Sequence, residues 1–486
     1  MKSFVCLLCA ALLLATPLAA AASSEAPVSP KIMSQRTLNI NNWTIYCTNY
    51  GPFVNPTQGG SGGFWGGTYN YIYGAGLWFA AVDSGNRKLV ARGYDCGPGG
   101  SEFGPVNPYT EDWTNYLTDT LARVYLSTDP VDTSQWPLRS GGQPIILSEQ
   151  DSYCKYSDQN PAFFWGPYPI NIVVEQLSYS WNSGPNIDVV YYRFKVKNRN
   201  DYQLDSCYIG VGVDCDIGNE AGNAANDRSN YDWQRNLGFQ FQSTSEPGWP
   251  ITGTVGVRLL ETPVNNMGYP VDIVDDNYPH TVPQNEPLGM TSFTIQTLSV
   301  SPTSEEDCYN GMAGYDFSTM ILDAYDDWGP FDSGDKSFII SSGPFNLAAF
   351  DSVYLGIAVL AAVDTNLLKI LSDSAQSFYN ACIGVGGAPP AVAPVSELKA
   401  QCLPNPFRQL TTINYQITRP GLVSLRVYNI AGQLVKTLVH SSLSAGRYNT
   451  TWDGRDEQGQ KVAAGVYLYQ LQAGDRALTK KMVLIR

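Results

Sequence analysis

The densest concentration of chemistry-bearing side chains lies between residues 214 and 232. It reads Asp214-Cys215-Asp216-Ile217-Gly218-Asn219-Glu220 and continues to Asn226-Asp227 and Asp232. Hard cations such as calcium take roughly six to eight oxygen ligands from carboxylates, amides and backbone carbonyls. Alternate residues of a strand point the same way, so a strand running through Asp214 and Asp216 sets both on one face. The pattern predicts a metal site built from Asp214, Asp216, Asn219, Asp227 and Asp232, with Ca2+ as its ion. It is not an EF-hand, because the fixed glycine and the twelfth-position glutamate are misplaced. A solvated acidic loop is the plain alternative, and both readings stand at this point. A second acidic group, Asp323, Asp326, Asp327, Asp332 and Asp335, either faces the first across a sheet end or is simply solvated.

Other chemistries are weaker. Carboxylate pairs at separations of roughly 5 to 9.5 Å run glycoside hydrolysis. A secreted hydrolase working through the acidic loops is therefore the rival to a non-enzymatic protein. Gly59-Gly60-Ser61-Gly62-Gly63 matches a nucleophile elbow, but that motif needs a strand before it and a helix after it. The surrounding glycines and prolines read as loop. The chain has two histidines, His280 and His440, too few for a convincing serine triad. The glycines also lack the Lys-Ser/Thr of a phosphate loop. The 11 tryptophans and 30 tyrosines serve either as exposed platforms for sugars and peptides or as core. Trp43, Trp65, Trp78, Trp113 and Trp136 are the examples nearest turns, and core filling is the favoured reading.

The elements that must position these residues are strands. With 45 glycines, 31 prolines and 15% charged residues in 486, the composition fits many strands joined by turns around a sizeable core. Val190, Tyr192, Phe194 and Val196 alternate with Tyr191, Arg193, Lys195 and Lys197, the period of a half-buried antiparallel strand. Cys207, Ile209, Val211 and Val213 line one face of the next, and the two are expected to form a hairpin. Over Asp364–Cys382 the period changes: Leu367, Leu371, Phe378 and Cys382 predict one amphipathic helix, capped by Asp364 or Thr365 and ended by Gly384.

The charge is uneven. The net formal charge is −14. From Glu397 onward twelve basic residues face five acidic ones, whereas residues 23–396 carry seventeen against thirty-nine. An acidic body argues against nucleic acid as a partner. Lys2, the apolar run Phe4–Leu14 and the small residues Ala19–Ala22 read as a signal peptide over 1–22. Beyond it, Cys47, Cys96, Cys154, Cys207, Cys215, Cys308, Cys382 and Cys402 form an even set, which in an exported chain predicts disulfides. A flexible lead over 23–36 precedes a large acidic β domain over 37–385, organised as one sandwich or two. Gly386-Gly387-Ala388-Pro389-Pro390 opens a Pro/Gly-rich linker over 386–396. About seven short strands fill 397–486, a sandwich count.

The tail carries a resemblance. Pro404-Asn405-Pro406-Phe407, Val427-Tyr428-Asn429-Ile430-Ala431-Gly432-Gln433, Trp452-Asp453-Gly454, Ala464-Gly465-Val466-Tyr467-Leu468-Tyr469 and the closing Lys480-Lys481-Met482-Val483-Leu484-Ile485-Arg486 occur in order. They resemble the Ig-like C-terminal domains of secreted bacterial proteins: the flagellar hook-capping type and the type A sorting domain of type IX secretion substrates. In the body, Gly74-Ala75-Gly76-Leu77-Trp78-Phe79-Ala80, Glu102-Phe103, Asp214-x-Asp216-Ile217-Gly218 and Ser341-Ser342-Gly343-Pro344-Phe345 resemble an exported bacterial family of undefined activity. Cys215 stands where proline is more usual. Together the resemblances imply an all-β protein: a large antiparallel sandwich-like domain with one late helix, then an Ig-like sandwich. They imply secretion or cell-surface display and the bacterial secretion machinery as a partner of the tail; surface glycan or envelope components are the partners expected of a non-enzymatic body acting in adhesion, envelope structure or glycan contact. They name no catalytic residue.

Overall fold

In the computed structural model, the described residues are 34–485, apart from 56–61, 68, 95–100, 164–167, 218–225, 243–251, 298–301, 303, 318, 328, 385–398, 404, 409, 418–420, 444–445 and 475. The expected signal peptide and most of the lead, the linker, Asn219, Ser61 and Cys96 therefore lie outside them.

Two large antiparallel sheets frame the body, beside a four-stranded one of Gln35–Leu38, Trp43–Thr48, Gly63–Trp65 and Tyr69–Ile72 and two small two-stranded ones. The nine-stranded sheet runs Asp227–Asp232, Leu237–Gln242, Thr254–Glu261, Ser352–Ala362, Val189–Asn198, Ile172–Ser180, Gln150–Ser157 and Gly104–Pro105, with Tyr125–Leu126 also on Gln150–Ser157. The six-stranded sheet runs Ser292–Thr297, Lys336–Leu347, Leu204–Asp214, Gly74–Val82 and Pro52–Val54, with Lys88–Arg92 also on Gly74–Val82. Val190, Tyr192, Phe194 and Val196 from the first sheet share one buried cluster with Cys207, Ile209, Val211 and Val213 from the second. The Phe53 ring packs 4.8 Å from that of Tyr192, whose hydroxyl donates to the Phe53 carbonyl at 3.1 Å. This shared core makes one sandwich.

The expected hairpin is corrected here. Val189–Asn198 and Leu204–Asp214 belong to different sheets. The turn between them arches over the core, because both strands bury their alternate apolar residues toward the same interior. Tyr191, predicted to face outward, is also buried. The helix Thr365–Cys382 covers that outer face and brings Phe378 5.6 Å from the Tyr191 ring. Asp364 caps this helix by accepting from the Leu367 amide at 2.8 Å. Its buried stripe is Leu368, Ser372, Ala375 and Tyr379, one residue beyond the expected one at Leu367 and Leu371. Two further helices were not expected from the sequence: the short Pro130–Ser134, and Glu305–Met312, which packs Cys308, Tyr309 and Met312 against Trp78 and Ile339 on the outside of the six-stranded sheet.

Trp43, Trp78 and Trp136 are fully buried core. Gly62 leads into the strand Gly63–Trp65, where a nucleophile elbow needs a helix. The disulfide expectation is also corrected: no disulfide joins any two of the seven described cysteines. Cys47 and Cys154 instead bond the carbonyls of Arg36 and Thr48, and burial pushes the Cys47 thiol up to about 11. They behave as small core hydrophobes.

The C-terminal domain is an Ig-like sandwich. One sheet holds Lys399–Leu403, Thr411–Ile417 and Gly446–Trp452; the other holds Leu434–Leu443, Gly421–Asn429, Gly465–Ala473 and Arg476–Leu484. Trp452 fills the interior between Phe407 and Tyr467, with ring centroids at 5.6 and 5.0 Å. Its indole N–H donates to the Arg455 carbonyl at 2.8 Å, closing the Asp453-Gly454 turn.

Candidate metal centre

The site begins at a strand end. Leu204–Asp214 pairs Asp214 with Gly74 on one side and with Ser337 on the other. That second register, carried two residues further, sets Asp216 across from Asp335. One oxygen from each of Asp214, Asp216 and Asp335 lies within 4.8 Å of the others. Asp214 and Asp216 are part-buried and Asp335 is exposed, so the cluster opens to solvent on one side. Like charges facing each other across a sheet are unfavourable.

Local sequence explains the approach. Gly74 and Gly76 leave room for Tyr94: a Cβ on Gly74 would fall 2.2 Å from its ring, and one on Gly76 2.3 Å from its amide nitrogen. Tyr94 thereby reaches the strand end and donates its hydroxyl to Asp214 Oδ2 at 2.8 Å. Burial, then repulsion from Asp216 and Asp335, push the Asp214 carboxyl up to about 7 against that hydrogen bond. Burial and Asp335 push Asp216 up to about 6.

Asp227 begins the edge strand Asp227–Asp232 and is 0% exposed. Its Oδ2 accepts from the Ile217 amide at 3.2 Å, tying it to the residue after Asp216. Its backbone carbonyl holds the Gly334 amide at 3.1 Å, beside Asp335. Burial is the main cause that raises its carboxyl to about 9, and Asp216, Asp335 and Asp214 add to it.

Of the five predicted residues, Asp214, Asp216 and Asp227 thus come together. Asp232 does not join them, being at the far end of its strand, roughly 16 Å along the chain. It accepts from Arg235 at 3.0 Å and from Lys369 at 3.1 Å. Burial works to raise its carboxyl, but these two cations hold it below the usual carboxylate range. The second acidic group divides. Asp335 joins the cluster, whereas Asp326 accepts from the Ile295 amide at 2.6 Å and Asp327 from the Asn277 amide group at 2.9 Å. Sequence reasoning named Asp335 without assigning it and missed Tyr94; the Gly74-x-Gly76 pair was the available signal for a close approach.

A groove of about 830 Å³ lies elsewhere on the body, lined by Trp233, His280, Glu261, Glu286 and Asn380 among others. Trp233 stacks on His280 at 4.8 Å. None of the clustered carboxylates lines it.

Comparison with known proteins bears on the tail. The FlgD Ig-like domain family matches residues 409–476. No curated protein sequence matches the chain. Among solved structures, a polysaccharide lyase is 7% identical, covering 86% of this chain and 40% of that one, at a TM-score of 0.24. Dimeric latent PorU from Porphyromonas gingivalis is 11% identical, with coverages of 70% and 32% and a TM-score of 0.16. PorZ, an essential bacterial surface component of the type-IX secretion system of Porphyromonas gingivalis, is 11% identical, with coverages of 71% and 46% and a TM-score of 0.16. This chain spans less than half the length of each of the three. Scores this low define neither a shared site nor a shared activity.

Proposed function

We propose that this is an exported, non-enzymatic protein of the cell surface or extracellular space. It acts in adhesion, envelope structure or glycan contact, and its Ig-like tail is the secretion and sorting module. The observation that carries the reading is the Ig-like domain at 409–476, set behind a Pro/Gly-rich linker in a chain that opens with a signal-like segment. A hydrolase working through the acidic loops is disfavoured because their clustered carboxylates lie outside the groove, whereas glycosidase carboxylates flank a bound substrate; of the two glutamates that do line it, Glu261 is held in an ion pair with Arg193 at 2.8 Å. The groove itself, with Trp233 and His280 beside carboxylates and amides, offers the aromatic-plus-polar lining that sugars bind.

Truncation in the producing cell tests the export reading. A chain stopped after Gly384 is expected to remain inside the envelope while the full chain reaches the exterior. Normal export of the truncated chain overturns the role given to the tail.

A further inference from the structure

We propose that Asp214, Asp216 and Asp335, with Asp227 beside them, bind one calcium ion. Two independent observations carry this. The first is the three-carboxylate arrangement, with an oxygen from each within 4.8 Å of the others and one exposed member as an entrance. The second is Asp227: its side chain is fully buried, and its Oδ1 has no hydrogen-bond partner. A buried carboxylate oxygen left unpaired is costly. Geometry ties it to the cluster on both sides: its Oδ2 accepts from the amide of Ile217, the residue after Asp216, and its carbonyl from the amide of Gly334, the residue before Asp335.

Among the described residues, no lysine or arginine forms an ion pair with any of the four. The neighbouring Lys336 directs its ammonium to the carbonyls of Gly329 and Asp332, at 3.3 and 2.5 Å. Oxygen-only donors with no nitrogen or sulfur favour a hard cation over a transition metal. Flexible spacing at a solvent-open strand end suits calcium better than the strict octahedron of magnesium. A bound ion would turn the repulsion among these carboxylates into attraction and tie the ends of Leu204–Asp214 and Lys336–Leu347 to the edge strand Asp227–Asp232. The proposal does not rest on the export reading, and its test is made on purified protein.

The test is calorimetric titration of the chelator-treated full chain with CaCl2 alone. One ion per chain is expected, with a Kd on the order of 10⁻⁵ to 10⁻³ M. Asp335→Asn alters an exposed side chain and so spares the fold, checked by circular dichroism; it is expected to weaken binding about tenfold or more. Asp232→Asn is expected to leave binding unchanged. Tb3+ gives a second readout, since Tyr94 beside Asp214 would sensitise its luminescence, and calcium would quench that signal by competition. Folded wild-type protein that gives neither heat nor a shift in melting temperature at about 10 mM CaCl2 overturns the proposal. Binding that survives Asp335→Asn unchanged, or is lost in Asp232→Asn, overturns it equally.

Discussion

The body and the tail solve burial in opposite ways. The body hides ionisable groups: Asp151, Asp158, Asp227, Asp326, Arg258 and Lys336 are all buried. Among the described residues of the tail, the buried polar side chains are Thr411 and Ser424, and none is charged. Its core is Trp452, Tyr467, Leu425, Leu471 and their neighbours. The body is also acidic where the tail is basic. The difference teaches that the tail's interior is held by packing, whereas the body's interior also carries groups whose charge changes with pH.

Three experiments would break or sharpen that contrast. The largest effect is expected from Trp452→Ala, which empties the centre of the tail. Large aromatic truncations cost about 3–5 kcal/mol. Calorimetry should show the tail's transition lowered and the body's unmoved; a joint shift of both would show that the two do not melt independently.

A pH series comes next. The Asp158 carboxylate accepts from the amides of Ile170, Asn171 and Ile172 at 2.6, 3.1 and 2.8 Å. Burial nevertheless pushes it up to about 7, and does the same to Asp151. In the unfolded chain both titrate near the ordinary value of about 3.9. Between about pH 4 and pH 7 the native state therefore holds protons that the unfolded state has lost, and stability falls as pH rises, by up to about 1.4 kcal/mol per unit per group. The melting temperature of the body should drop across this window while that of the tail stays level. Asp158→Asn should flatten the slope; a body that becomes more stable over the same window contradicts the assignment.

The smallest effect is expected from Asp364→Ala. Loss of this helix cap costs about 1 kcal/mol and should lower the body's transition alone, with no change in the tail's.

Much of this was legible in the chain. The period of two from Val190 to Val196 located a strand and its core face, and the Asp364 cap located a helix start. The tail's turn motifs located an Ig-like sandwich. Periodicity could not say which sheet a strand joins: Val189–Asn198 and Leu204–Asp214 look like hairpin partners because both alternate, yet alternation is satisfied equally across a sandwich. The helix stripe was misplaced because Ala375 and Ser372, small residues against the sheet, carry little apolar signal. In the acidic cluster Asp214, Asp216 and Asp227 were visible because they lie close in sequence. Asp335 comes from more than a hundred residues away, and only the register with Lys336–Leu347 brings it in. Even cysteine numbers misled, because a thiol packs in a β core as readily as it pairs.

The order of strands in the larger sheet has a consequence for biogenesis. Val189–Asn198 sits between Ile172–Ser180 and Ser352–Ala362, so one of its neighbours is made some hundred and fifty residues later. Until that late strand arrives, an apolar ribbon has an open edge, a template for mispairing. Pairings of such long range are slow to form. The body therefore stays unfinished until nearly its whole length has emerged.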